Sequence, residues 1–274
     1  MSDFLATMAD ASRARVDAAQ RARSFADLQA SALAAAPVHR LVLDRFDVIA
    51  EVKLSSPSAG VLDRGSADAV ARVVARAAAY ERGGACAVSV LTEPSRFGGA
   101  LDHLAAASKA VAIPTMRKDF LVDAWQVWEA REAGASGVLV VLRIVDEPTL
   151  DAILTASAAC GMFTLLEAFD ERDLERAAAA VGRGGDRLLV GVNTRNLATL
   201  AIDPERLAKL ASRLPAGIPT VAESGLTGPA DAARAARLGY KLALVGTHLM
   251  NDDQPTEAIL AMCRAGREAT CTSA

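Results

Sequence analysis

Residues 47–53 read Asp47-Val48-Ile49-Ala50-Glu51-Val52-Lys53, a short apolar run that closes on a Glu and a Lys two positions apart. Side chains two apart on a strand share one face. A Glu and a Lys facing the inside of a sheet are costly unless they pair or take part in chemistry. Seven more runs share the pattern, at 85–91, 112–118, 137–142, 162–167, 187–193, 219–223 and 242–246. Five of the eight ends carry Lys, Glu or Asn: Lys53, Lys118, Glu167, Asn193 and Glu223. Most ends stand about 25 residues apart, the span of one strand, one loop and one helix. The intervening segments, such as 123–135 and 170–182, are Ala-rich and helical in pattern, and Gly134, Gly182 and Gly239 stand where helix C-caps fall. Eight such units predict an α/β fold, a (β/α)8 barrel. The interior of that barrel is packed solid, so its chemistry is confined to the C-terminal ends of the strands.

The chain has 274 residues. A barrel of this kind takes about 250. One domain over 1–274 is therefore expected, with an N-terminal helical extension (1–45), barrel strands (46–250) and a C-terminal helix and tail (251–274). The extension reads as helices over 4–21 and 24–34, ended by Pro37. It could close the barrel bottom or reach the active rim, and periodicity does not separate the two. A helix over 66–83 is expected to be capped by Ser66.

Composition narrows the function classes. Aromatics are 4% and net charge is −3. Neither a base-stacking platform nor a basic surface for nucleic acid or anionic lipid is supplied. No signal peptide or membrane span is legible, so a cytoplasmic protein is expected, and a monomer by default. The four Cys form no CxxC pair and the three His have no metal-ligand spacing. Free structural thiols and no metal are expected.

Two Lys and three Glu converging at strand ends suit acid–base chemistry, because proximity and partial desolvation shift their proton affinities. Lys118 sits in the segment Arg117-Lys118-Asp119-Phe120, where Phe120 can form an apolar wall. Asn193 and Arg195 share a side, and Asn193 can orient a hydroxyl. A second element reads phosphate. Ser224-Gly225 follows strand seven, and Gly246-Thr247-His248 follows strand eight. Loops at these two places often bind phosphate in barrels, through close backbone approach and amide N–H groups. The long Ser- and Pro-rich loop after strand one, carrying Ser56, is a further candidate. No GxGxxG segment follows strand one, and no Ser/His/Asp arrangement suggests a hydrolase.

At these residues the chain resembles indole-3-glycerol phosphate synthase. The resemblance rests on IAEVKLSSPSAG, SVLTEPSRFGG, RKDFLVDAWQVWEAREAGA, LLEAFDERDL, VGVNTRNLATL, VAESGL and LVGTHLM, in order, over residues 47–252. It implies a small phosphorylated substrate, 1-(2-carboxyphenylamino)-1-deoxy-D-ribulose 5-phosphate, and ring closure with loss of carbon dioxide and water. No metal or organic cofactor is implied. Carried over by position, Lys118 is the general acid, Glu51 or Glu167 answers the developing positive charge or takes part in the later proton transfer, and Lys53 binds substrate and is the candidate to protonate the departing hydroxyl; which lysine serves which step stays open. Asn193, Glu223 and Ser224 hold hydroxyls. Arg195 meets the anthranilate carboxylate, and Ser56, Gly225, Gly246 and Thr247 meet the phosphate. Phe97, Phe120 and Leu197 line the aromatic pocket. Four departures from the family's usual pattern stand out: Leu54 in place of a basic residue, Ala168-Phe169 in place of Val-His, Thr194 in place of Asn or another small polar residue, and Thr247 in place of Glu. Three other readings stay open: a paralogue serving a specialised indole pathway, a different sugar-phosphate lyase or isomerase, and a non-catalytic barrel that binds a phosphorylated metabolite.

Overall fold

The computed structural model describes residues 3–62, 68–183, 187–196 and 199–271. Its eight barrel strands are β1 (Asp47–Val52), β2 (Ala87–Leu91), β3 (Thr115–Lys118), β4 (Gly137–Val141), β5 (Phe163–Ala168), β6 (Leu188–Asn193), β7 (Thr220–Glu223) and β8 (Leu242–Val245). All pair in parallel with their chain neighbours, and β8 closes onto β1 through Ala50 and Val245. This is the (β/α)8 barrel that the eight runs predict. Nearly every strand residue is buried, because helices cover the outer face and side chains fill the axis. That two-sided burial is why the runs read as continuous apolar stretches without alternation.

Two boundaries differ from the sequence reading for physical reasons. β3 begins at Thr115, after Pro114, which has no N–H to give to the ladder. The loop after β1 contains a two-residue hairpin, Ser55–Ser56 against Gly60–Val61, too short to carry any period. The expected cap Ser66 lies outside the described residues; the described helix runs Ala69–Arg82. Gly134, Gly182 and Gly239 all have positive φ, at 88°, 84° and 93°, as C-terminal helix turns require.

The N-terminal extension reaches the C-terminal rim, the second of the two courses that periodicity left open. Helix α1 (Asp3–Ala22) lies across the C-terminal rim of the barrel. There Phe4 meets Phe120 edge-on at 5.9 Å, and Arg15 Nη2 donates to Asp119 Oδ1 at 2.7 Å. Helix α2 (Phe25–Ala34) packs Phe25 on Trp125 and Trp128 and is capped by the Ser24 side chain. The chain then descends, with His39 N–H donating to Ser136 Oγ just before β4, and enters β1 from below. The C-terminal helix Pro255–Cys271 closes the opposite flank, donating from Arg267 to the Phe46 carbonyl and to Asp47. Among the described residues, no helix is long and apolar enough to cross a membrane.

Candidate active site

The strand ends surround a cavity of about 400 Å³ at the C-terminal rim. Its lining includes every described residue that the sequence singled out: Glu51, Lys53, Ser56, Phe97, Lys118, Phe120, Glu167, Asn193, Arg195, Glu223, Ser224, Gly225, Gly246 and Thr247. Leu197 lies outside the described residues.

Charges inside the cavity form two linked groups. On β1, Lys53 Nζ donates to Glu51 Oε1 at 2.6 Å, as two side chains on one strand face allow. Across the barrel, Lys118 Nζ reaches Glu167 Oε2 at 3.0 Å and Glu223 Oε2 at 3.3 Å. Asn193 Nδ2 donates to the other Glu167 oxygen at 3.1 Å, so this carboxylate is held from both sides. Asn193 is fixed in turn: its Oδ1 accepts from the Arg195 backbone N–H at 2.8 Å. Lys118, Glu167, Asn193 and Glu223 come from four different strands. Only closure of the sheet brings them together.

Burial works against each charge, and the partners decide the outcome. Desolvation raises the proton affinity of Glu51, yet Lys53, Lys118 and Arg195 together bring its carboxyl below the usual range. For Lys118, desolvation disfavours the ammonium, but Glu167, Glu223 and Glu51 outweigh it and raise its pKa, so it stays charged at neutral pH. Glu223 is the exception. It is fully buried beside Glu167, and its carboxyl is pushed up to about 8 despite Lys118. Near neutral pH it holds a proton. That proton relieves the repulsion between Glu223 and Glu167, which both stand beside Lys118.

This shift has a measurable consequence. Glu223 has an ordinary pKa of 4.5 when unfolded and about 8 when folded. Between those values the folded state binds a proton that the unfolded state lacks, so stability falls as pH rises through that window. Glu223→Gln removes the titration. Its thermal midpoint, followed from pH 5 to 8 as an order-of-magnitude window, should decline less than that of the unaltered chain. Parallel curves for the two proteins would contradict the protonated Glu223.

The part of the cavity wall formed by Ser224, Gly225 and Gly246 rests on backbone. Ser224 and Gly225 both have positive φ, at 66° and 74°. For a non-Gly residue this is a strained conformation, of the kind that persists where surroundings over-determine it. The Thr194 hydroxyl supplies that constraint: it donates to the Ser224 carbonyl at 3.0 Å, with the Glu223 carbonyl 3.3 Å away. Gly246 has an ordinary φ of −121°, so backbone freedom does not explain it. Space does: a Cβ there would collide with Glu51 Oε1 and stand 2.9 Å from Lys53 Nζ.

These motifs and this order of strand ends agree with the comparison to known proteins. The family model for indole-3-glycerol phosphate synthase matches residues 5–262. The chain belongs to the indole-3-glycerol phosphate synthase family. It is 43% identical over 222 residues to the indole-3-glycerol phosphate synthase of Parafrankia sp. (strain EAN1pec), covering 81% of this chain and 79% of that one. With the indole-3-glycerol phosphate synthase of Mycolicibacterium gilvum (strain PYR-GCK) it shares 39% over 263 residues, covering 94% and 93%. Among solved structures, 3-hexulose-6-phosphate synthase from Salmonella typhimurium superposes with a TM-score of 0.64 at 13% identity, covering 82% of this chain and 100% of that one. Dihydropteroate synthase from Xanthomonas albilineans superposes with a TM-score of 0.61 at 20% identity, covering 85% and 96%. These two similarities bear on the fold alone.

The four departures from the synthase family's usual pattern find places in this structure. Leu54 packs partly buried against the core, and its carbonyl accepts from Leu62 N–H at 2.9 Å. Phe169 is buried with the Arg143 guanidinium 4.9 Å over its ring. Thr194 holds the strained Ser224, and Thr247 opens a short helix (Thr247–Asn251).

Sequence reasoning missed three residues. Phe4 lines the cavity and packs on Phe120, which also meets Phe97 at 6.2 Å, so α1 completes the aromatic wall. Asp119 also lines the cavity and takes four hydrogen bonds, from Arg15, the Phe120 N–H, Thr92 and Arg117. These bonds anchor the chain directly after Lys118. Arg15, the third, makes that bond across 104 positions of sequence. The segment Arg117-Lys118-Asp119 held the signal for Asp119, since a carboxylate beside the end of a buried strand needs partners. Nothing local marks Phe4 or Arg15.

Proposed function

We propose that this chain closes the indole ring of 1-(2-carboxyphenylamino)-1-deoxy-D-ribulose 5-phosphate, releasing carbon dioxide and water to give indole-3-glycerol phosphate in tryptophan biosynthesis. Membership of the synthase family supports the reaction. The observation that carries the assignment of roles is Lys118, an ammonium held by Glu167 and Glu223 inside a cavity with one aromatic wall. In this reading Lys118 gives a proton to the C2 carbonyl oxygen as the ring carbon bearing the carboxylate bonds to C2. Positive charge develops on the ring nitrogen, and Glu51 or Glu167 stabilises it. Carbon dioxide leaves its bonding pair to the ring. Lys53 protonates the departing hydroxyl, and a Glu carboxylate takes the C1 proton to complete the double bond. Two protons are given and one is taken, which balances the carboxylate lost as neutral carbon dioxide.

The remaining lining residues bind. Arg195 faces the anthranilate carboxylate; Asn193, Glu223 and Ser224 hold hydroxyls. Ser56, Gly225, Gly246 and Thr247 take the phosphate, and Phe97 and Phe120 flank the ring. A monomeric, cytoplasmic protein is part of the same proposal. The test is indole fluorescence on mixing the purified protein with the carboxyphenylamino substrate. Turnover supports the reading. A folded protein that leaves the substrate unchanged refutes it.

A further inference from the structure

The segment after β8 is a part of the cavity wall that cannot hold its own shape. Its helix, Thr247–Asn251, has five residues, far below the length at which a helix is stable alone in water. Its position is therefore set by what grips it. Two side chains of the helix Ala69–Arg82 do so, four positions apart and hence on one face. Arg76 Nη1 donates to the Leu249 carbonyl at 3.1 Å and to the Asp252 carbonyl at 3.0 Å. The Tyr80 hydroxyl, fully buried, lies 3.2 Å from the Glu51 carbonyl and 3.4 Å from Met250 Sδ, both of which can accept its proton.

One helix face thus ties the end of β1, which carries Glu51, to the segment that follows Gly246. Gly246, Thr247, His248 and Asn251 line the cavity; Arg76 does not. The guanidinium also satisfies carbonyls that a helix C-terminus leaves without partners, and a cation there complements the helix dipole.

We propose that Arg76 is a positioning residue, which sets the affinity for the substrate's phosphate by fixing residues 246–251 from behind. The inference rests on the reading above, which seats the phosphate at Gly225, Gly246 and Thr247. Without Arg76 the Leu249 and Asp252 carbonyls lose a shared donor, and the amides at the front of the segment lose their fixed aim. Binding of the phosphate end weakens. Proton transfer by Lys118 does not, because that group is held from β5 and β7.

The experiment compares Arg76→Met and Arg76→Lys with the unaltered enzyme on the phosphorylated substrate and on its dephosphorylated form, with inorganic phosphate as competing ligand. Arg76→Met should raise KM for the phosphorylated substrate about 10-fold, the size of one hydrogen bond from a charged donor. Its kcat should stay within about 2-fold, the signature of lost ground-state binding. The inhibition constant for inorganic phosphate should rise by the same factor as KM, the dephosphorylated substrate should be unaffected, and Arg76→Lys should restore most of the loss. Arg76→Gln serves if the Met variant does not fold. An unchanged KM, or an equal loss on both substrates, overturns the role of Arg76. An unaltered enzyme that treats the two substrates alike overturns the phosphate seat itself, and the inference with it.

Discussion

The Lys118→Met variant is expected to fold normally and to lose about 10³-fold in kcat, within the range that a positioned general acid contributes. Met keeps the length and the apolar stem, so the barrel loses an ammonium and little packing. The loss should fall on kcat more than on KM, because the proton is needed only as C2 becomes electrophilic. Two carboxyls, Glu167 and Glu223, would face each other without the cation between them, which strengthens the hold of Glu223 on its proton. Steady-state kinetics on the carboxyphenylamino substrate, with a thermal melt as the folding control, checks both points. Retained kcat would move the general acid elsewhere, to Lys53 first.

The second large effect is at Gly246. An Ala side chain there would push into the Glu51 carboxylate and crowd Lys53, which stands 2.9 Å from the added carbon. The strand below is closed and paired to β1, so the backbone cannot retreat freely. Glu51 must swing away, and the Glu51–Lys53 pair opens. A displacement of about 1 Å in a catalytic constellation can cost 10²-fold, and that loss in kcat/KM is expected for Gly246→Ala. Gly228→Ala is the control. Its φ is 171°, and an added Cβ would meet nothing within 4 Å, so the activity should be unchanged. Equal activity in the two variants would remove the spatial argument for Gly246.

The barrel was legible because all eight strands are buried on both faces and each ends at the rim where polar residues are tolerated. Glu51, Lys53, Lys118, Glu167, Asn193 and Glu223 could be picked out by strand position alone. What they do to one another could not. The raised proton affinity of Glu223 depends on Glu167 and Lys118 standing beside it from β5 and β3. Gly246 was expected as a phosphate contact on position alone, and the room it leaves for Glu51 could not be read from the sequence. The placement of α1 was out of reach, since helical periodicity tells which face is buried but not which end of the barrel buries it. Phe4 and Arg15 find their partners at Phe120 and Asp119, more than 100 positions away.

The central claim is that one site forms the carbon–carbon bond and expels carbon dioxide. Substrate labelled at the carboxyl carbon measures this directly, with label release and indole fluorescence followed in the same reaction. The account predicts one labelled carbon dioxide for each indole ring formed. Consumption of the substrate with the label retained in a phosphorylated product would contradict it.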